Sequence, residues 1–280
     1  MCTDVNAQAT VRTRFAPAPT GHLHLGHVVN ALHVWQFARA HGGRVVLRIE
    51  DHDRQRARPE LEASIREDLA WLGFEPDEEA PRQSERDAVY REVAGALARQ
   101  GLVYGCTCTR QDIAAAAGDT TNERRYPGTC RDRGLALEDG HGWRVLVAPG
   151  AEKFVDGILG PASQDPAEQC GDVLIRDRLG NWTYQFAAAV DDYLQGISHV
   201  IRGRDLFAST GRQIRLARLA GRASAAAFRH HGLVMKTPAQ KLSKSDGDTG
   251  IRELRRQGWS PEAVIERARA AVPGPAGHIP

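Results

Sequence analysis

Lysine is the scarce residue of this 280-residue chain. Only Lys153, Lys236, Lys241 and Lys244 among its 37 basic residues are lysine, and three of these fall within nine positions. In a chain that otherwise uses arginine, that grouping marks a place where a compact ammonium on a flexible stem is wanted rather than a guanidinium fork. No run of about 18 apolar residues occurs, which excludes a membrane-spanning helix by sequence. The stretch from Met1 to Thr10 is polar and lacks the apolar segment of a secretion signal, so the cytoplasm is the expected compartment. Five cysteines, an odd number without a secretion signal, argue against a disulfide framework. No internal repeat is visible. The net charge of +2 neither requires nor excludes a nucleic-acid partner, and 41% hydrophobic with 26% charged residues is ordinary for a globular chain.

The residues that are present organise themselves around Arg14 to His27. Val11 to Ala16 reads as a short strand, broken by Pro17 and Pro19, and Gly21 frees a turn. From about Leu23 an apolar stripe, with Leu25, Val28, Val29, Leu32 and Trp35, predicts a helix. A strand running through a tight turn into a helix aims backbone N–H groups and a helix dipole at one spot, which suits phosphate. His24 and His27 straddle Gly26 there, so imidazole donors would sit beside the phosphate while the glycine admits a flat ring. On their own these histidines read more readily as packing residues than as functional ones.

Arg44 to Ile49 predicts a second, buried strand ending at Glu50-Asp51, and strand–helix–strand implies a parallel pair of an open α/β sheet. Ligands in such sheets lie beyond the carboxyl ends of the strands. A helix is predicted over Pro59 to Trp71, and Ser84 with Asp87 reads as a capping box opening another, stopped by Gly101. Gly140 to Gly180 predicts a β-rich insertion with strands at Trp143–Val147, Phe154–Ile158 and Val173–Arg176. Alternation then resumes with a helix after Asn181, a strand over Ile197–Ile201 ending at Arg202, a helix capped by Asp205, and a strand from Phe228 to Met235. A polar loop carries Lys241-Leu-Ser-Lys244-Ser, two helices at about 249–257 and 260–271 follow, and the Pro/Gly-rich 273–280 is read as disordered.

Cys106, Cys108 and Cys130 fall in one short segment, with a helix over 110–117 between them that Thr109 caps. Three thiols returning to one place suit zinc. The fourth ligand stays open between His141 and Tyr126.

His24-Leu-Gly26-His27 after the first strand and Lys241-Leu-Ser-Lys244-Ser after the last, about 210 residues apart, resemble the signature pair of class I aminoacyl-tRNA synthetases. Arg14-Phe15-Ala16-Pro17-Ala18-Pro-Thr-Gly, Arg48-Ile-Glu50-Asp51, Tyr184 and Val-Ile-Arg202-Gly-Arg-Asp resemble the glutamyl branch. Only some 35 residues follow the lysine loop, and the chain is most similar to the short glutamyl-queuosine tRNA(Asp) synthetase family, which lacks the anticodon-binding domain of the longer enzymes. Ala18 stands where serine is frequent in relatives.

The resemblance implies a class I synthetase-type Rossmann α/β catalytic fold with a zinc-binding insertion and a short helical C-terminal region. The expected division is 1–105 and 171–235 as two catalytic halves, 106–170 as the insertion with 106–130 holding zinc, 236–272 as lysine loop and helices, and 273–280 as tail. It implies ATP with Mg²⁺ bound by His24, Gly26, His27, Lys241 and Lys244, with the two histidines and two lysines catalytic. It implies glutamate bound by Arg14, Phe15, Ala16, Pro17, Ala18, Glu50, Tyr184 and Arg202, and one zinc held by Cys106, Cys108, Tyr126 and Cys130, so that Tyr126 displaces His141. Activation of glutamate without tRNA, followed by transfer to queuosine in tRNA(Asp) by a monomer, is the implied activity. The alternatives are a truncated glutamyl-tRNA synthetase charging a tRNA 3′ end, an idle RNA-binding module, and a nucleotidyltransferase of the same histidine-motif superfamily.

Overall fold

A computed structural model describes residues 10–117, 125–237, 240–241 and 250–272. In chain order the first half comprises β1 (Arg12–Phe15), α1 (Leu25–Ala40), β2 (Arg44–Leu47), α2 (Pro59–Trp71), β3 (Glu78–Glu79) and α3 (Asp87–Arg99). Next come β4 (Val103–Cys106), α4 (Arg110–Ala117), β5 (Gly142–Val145), β6 (Glu152–Asp156), β7 (Gly160–Gln164), α5 (Pro166–Gln169) and β8 (Val173–Arg176). The chain continues through α6 (Tyr184–Leu194), β9 (His199–Gly203), α7 (Thr210–Leu219), β10 (Ala227–His231), β11 (Met235–Thr237), β12 (Gln240–Lys241), α8 (Ile251–Arg256) and α9 (Pro261–Ala271). None of the described helices is long and apolar enough to cross a membrane.

β1, β2 and β3 pair in parallel, and so do β9, β10 and β6, with β7 added antiparallel at the far edge. The Ser198 N–H, just ahead of β9, donates to the Arg12 carbonyl at 2.9 Å, and the Arg12 N–H donates to Ser198 Oγ at 2.8 Å. These bonds set β9 beside β1, giving the order β3-β2-β1-β9-β10-β6-β7. Side chains alternate across this sheet. Phe15, Val45, Leu47 and Ile201 enter one core with α1, α2 and α9, whereas Val46, Val200 and Phe228 enter another with Ile214 of α7. The chain leaves β1 outward to β2 and resumes on β1's other side at β9, so the two directions of winding meet between β1 and β9. A crevice opens at such a reversal. A separate antiparallel sheet, β4-β5-β8, stands beside this layer over a core with α3 and α6.

Several local expectations need correction. Ser84 does not cap α3; its N–H and hydroxyl both donate to Asp51, at 2.8 and 2.6 Å, in a 3₁₀ turn, while Asp87 takes the Trp182 indole N–H at 2.8 Å. Asp205 caps no α-helix: it lies in the first turn of a 3₁₀ segment that precedes α7. β7, a Gly-Pro-Ala-Ser-Gln strand, was hidden by a composition poor in β-formers. Thr109 and Asp112 do form a reciprocal capping box on α4, and Ser260 caps α9. Residues 273–280 lie outside the described residues.

Candidate active site and thiolate cluster

A pocket of about 370 Å³ fills the crevice between β1 and β9. Arg14, Phe15, Ala16 and Pro17 reach it from the end of β1, Glu50 from just beyond β2, and Arg202 from β9. Tyr184, the first residue of α6, and His24, Gly26 and His27 complete the predicted residues brought together. Ala18 stands outside the lining. Lys241 lies in β12, and Lys244 lies outside the described residues.

The two histidines open α1 by capping it. His24 Nδ1 accepts the Gly26 N–H and His27 Nδ1 accepts the His24 N–H, each at 3.0 Å, and the rings lie 3.9 Å apart. A neutral imidazole that accepts at Nδ1 carries its proton on Nε2, so both rings are set as Nε2–H donors. Gly26 has a local reason. A Cβ there would meet His24 Cε1 at 2.9 Å, so the flat ring that this glycine admits is the His24 imidazole.

Beneath the pocket lies a buried charge network that sequence reasoning missed. Asp192 of α6 accepts from Arg14 Nε at 3.0 Å and from Arg48 at 2.8 Å, and Arg48 also donates to Glu50 at 2.8 Å. Burial alone would raise the Asp192 carboxyl; the guanidiniums of Arg14 and Arg48 hold it down at about 2. Neighbouring Asp191 takes Gln83, Arg86 and Tyr90, joining α3 to α6. The only hint in the sequence was charge inside apolar runs: Arg48 within Val-Val-Leu-Arg-Ile, and Asp191-Asp192 after Ala-Ala-Ala-Val.

Arg202 is different. Its guanidinium is buried, and its hydrogen-bond acceptors are neutral: His230 Nε2 at 2.9 Å, Thr210 Oγ1 at 3.0 Å, the Gln213 side-chain oxygen and the Leu206 carbonyl. His230 in turn holds Asp156 at 2.6 Å through Nδ1. Burial and the nearby Arg202 charge push His230 down to about 4, so it is neutral at ordinary pH and accepts from Arg202 rather than repelling it. A buried guanidinium surrounded by dipoles favours an anion in the pocket.

The cysteine segment forms a second centre. The sulfurs of Cys106, Cys108 and Cys130 lie within 4.8 Å of one another, with Cys108 and Cys130 3.5 Å apart. The Tyr126 hydroxyl is 3.4 Å from Cys106 Sγ and 3.9 Å from Cys108 Sγ, and accepts the Cys130 N–H at 2.9 Å. Tetrahedral zinc at about 2.3 Å from each sulfur needs thiolates roughly 3.8 Å apart, which this donor set fits. Arg144 stacks 3.6 Å over the Tyr126 ring and donates to Cys106 Sγ at 3.3 Å, placing positive charge beside the thiols. His141 does not join: its ring bonds the Ala136 carbonyl. Gly171 pins Tyr126 in place. Its φ is +66°, and a Cβ there would overlap the Tyr126 carbonyl.

The chain as a whole is similar to known proteins. The chain is 43% identical to "Glutamyl-Q tRNA(Asp) synthetase" of Bordetella bronchiseptica, over 92% of this chain and 87% of that protein. It is 39% identical to the Rhodobacter capsulatus protein of the same name, over 90% and 97% respectively. The crystal structure of glutamate-tRNA synthetase from Elizabethkingia anophelis superposes with a TM-score of 0.77 at 31% identity, over 92% of this chain but only 61% of that longer one. Residues 10–272 match the model of the family described as "tRNA synthetases class I (E and Q), catalytic domain", and the chain belongs to that family.

Proposed function

We propose that this protein activates L-glutamate with ATP and transfers it to the queuosine nucleotide of tRNA(Asp). The observation that carries the reading is the pocket at the strand reversal. There a buried Arg202 without an acidic hydrogen-bond partner faces two imidazoles fixed as donors at a helix N-terminus. Names of relatives that match most of both chains support the acceptor.

In this reading Arg202 and Arg14 receive the carboxylates of glutamate, Glu50 its ammonium, and the Tyr184 hydroxyl a further polar contact, while Phe15, Ala16 and Pro17 shape the wall. One carboxylate oxygen of the α-carboxyl attacks the α-phosphorus of ATP, and the bond to the β-phosphate oxygen breaks, releasing pyrophosphate. The Nε2–H groups of His24 and His27 meet charge that grows on phosphate oxygens, and because they are fixed beforehand they need no reorganisation. Lys241 and Lys244 would close over the triphosphate, with Mg²⁺ supplying further charge neutralisation when bound. A hydroxyl of the queuosine cyclopentenediol then attacks the glutamyl carbonyl, AMP departs, and an ester remains.

Cys106, Cys108, Cys130 and Tyr126 would hold one zinc, which when bound cross-links the segment between β4 and β5. The division into catalytic halves around an inserted region, and a monomeric state, belong to the same proposal. Nucleoside mass analysis of tRNA(Asp) after incubation with glutamate and ATP tests it: glutamyl-queuosine is the expected product. Glutamate on the terminal adenosine instead, or a strict tRNA requirement for glutamate-dependent ATP–pyrophosphate exchange, would overturn the choice of acceptor.

A further inference from the structure

A second polar groove has a volume of about 390 Å³. Arginines from three segments line it: Arg54 beyond β2, Arg91 of α3, and Arg176 and Arg178 at the end of β8. Two of them are matched by carboxylates, Arg91 with Asp87 at 2.6 Å and Arg176 with Asp139 at 3.2 Å. Arg54 and Arg178 are held differently. Arg54 donates to the Ser84 carbonyl at 3.1 Å and Arg178 to the Gly140 carbonyl at 3.2 Å, so each is oriented by a neutral dipole; Asp87 and Asp112 act on them through space, without an ion pair among the described residues. Elsewhere Arg39, Arg56 and Arg82 face carboxylates, whereas Arg58 and Arg229 are also held by carbonyls; what distinguishes Arg54 and Arg178 is that the two line one groove. The groove therefore carries a local excess of two positive charges on planar donors suited to phosphate.

The groove and the catalytic pocket have no lining residue in common, but two short chain segments join them. The segment that carries Arg176 and Arg178 runs through Trp182, which is bonded to Asp87, into Tyr184 of the pocket. The segment that carries Arg54 begins at Glu50, and His52 on it lies 6.1 Å, ring to ring, from Tyr184. Exposed Leu179 sits at the tip of the turn between the two arginines and Tyr184, offering an apolar face to an unstacked base.

We propose that this groove binds the sugar-phosphate backbone of the acceptor RNA beside the nucleotide presented to the catalytic pocket, with Arg54 and Arg178 as its phosphate contacts. The assignment rests on the reading that the acceptor is tRNA. Because the first half-reaction needs no RNA, the groove can be tested apart from the chemistry.

The test uses the full chain as wild type, as Arg54→Gln with Arg178→Gln, and as the charge-preserving Arg54→Lys with Arg178→Lys. Binding of tRNA(Asp) is measured by fluorescence anisotropy across a salt series, alongside glutamate-dependent ATP–pyrophosphate exchange without RNA. The glutamine variant is expected to bind tRNA at least about tenfold more weakly at moderate salt, and its slope of log affinity against log salt to be shallower by about 1.4 to 1.8, as for two lost phosphate contacts. The lysine variant should recover most of the affinity, and exchange should be unchanged in both. Wild-type affinity and slope in the glutamine variant would overturn the groove even if glutamyl-queuosine forms. If wild type makes no glutamyl-queuosine yet tRNA affinity still depends on these arginines, the catalytic reading fails and the groove stands.

Discussion

Asp192→Asn isolates the charge network beneath the pocket. The substitution keeps shape and one acceptor oxygen but leaves Arg14 and Arg48 facing a neutral group, in a place where both guanidiniums are buried. Holding a carboxyl at about 2 instead of its ordinary 3.8 amounts to about 2 kcal/mol favouring the folded state at neutral pH. Breaking a buried pair from one side costs about 3–5 kcal/mol in comparable cases, so the expected loss lies at roughly 2–5 kcal/mol. For a chain of this size that is a fall in Tm of about 5–15 °C. The sign with pH follows from the depressed native pKa. Asp192 contributes fully above its unfolded pKa near 4, and its contribution fades as pH falls from there towards 2. Thermal unfolding of both proteins followed by circular dichroism at pH 7, 4 and 2.5 should show a large gap that narrows with acid. A gap under about 0.5 kcal/mol at pH 7, or one that does not narrow, would refute the network as described.

Arg202→Lys keeps charge but loses the planar fork, and should raise KM for glutamate by about 10- to 100-fold in pyrophosphate exchange while KM for ATP stays near its original value. His230→Ala should move the same way by a smaller factor, because it removes the acceptor that orients Arg202 Nε; an unchanged glutamate KM in both would sink the carboxylate assignment. About one zinc per purified chain is expected by elemental analysis, falling well below that in Cys106→Ser, and full metal content in that variant would count against the site. Gly171→Ala forces a left-handed backbone on alanine and drives its methyl group into the Tyr126 carbonyl, so a loss of at least about 2 kcal/mol in urea unfolding is expected, against no change if Tyr126 can move aside.

Local patterns told the fold well. The apolar stripe after Leu23 is α1, and the run from Arg44 is β2, because helix period and strand length are written in consecutive residues. The pocket residues were legible through resemblance, and Cys106, Cys108 and Cys130 through their spacing. The network was not, since Arg48 meets Asp192 across 144 positions and nothing local records that pairing. His230 escaped for the same reason, being joined to Asp156 and Arg202 from different strands. The Ser84–Asp87 reading failed because a capping pattern competes with tertiary partners, and Asp51 and Trp182 claimed both residues.

The crevice between β1 and β9 has a mechanical meaning. Across it, the one backbone-to-backbone bond among the described residues runs from the Ser198 N–H to the Arg12 carbonyl, and side chains add the rest: Ser198 Oγ accepts the Arg12 N–H, and Arg14 donates to the Ile201 carbonyl and to Asp192 of α6. Arg14 and Glu50 belong to one flank, Arg202 and Tyr184 to the other. Any molecule gripped by all four becomes a rivet through the seam, and the amide protons of β1 and β9 should exchange more slowly once it is in place.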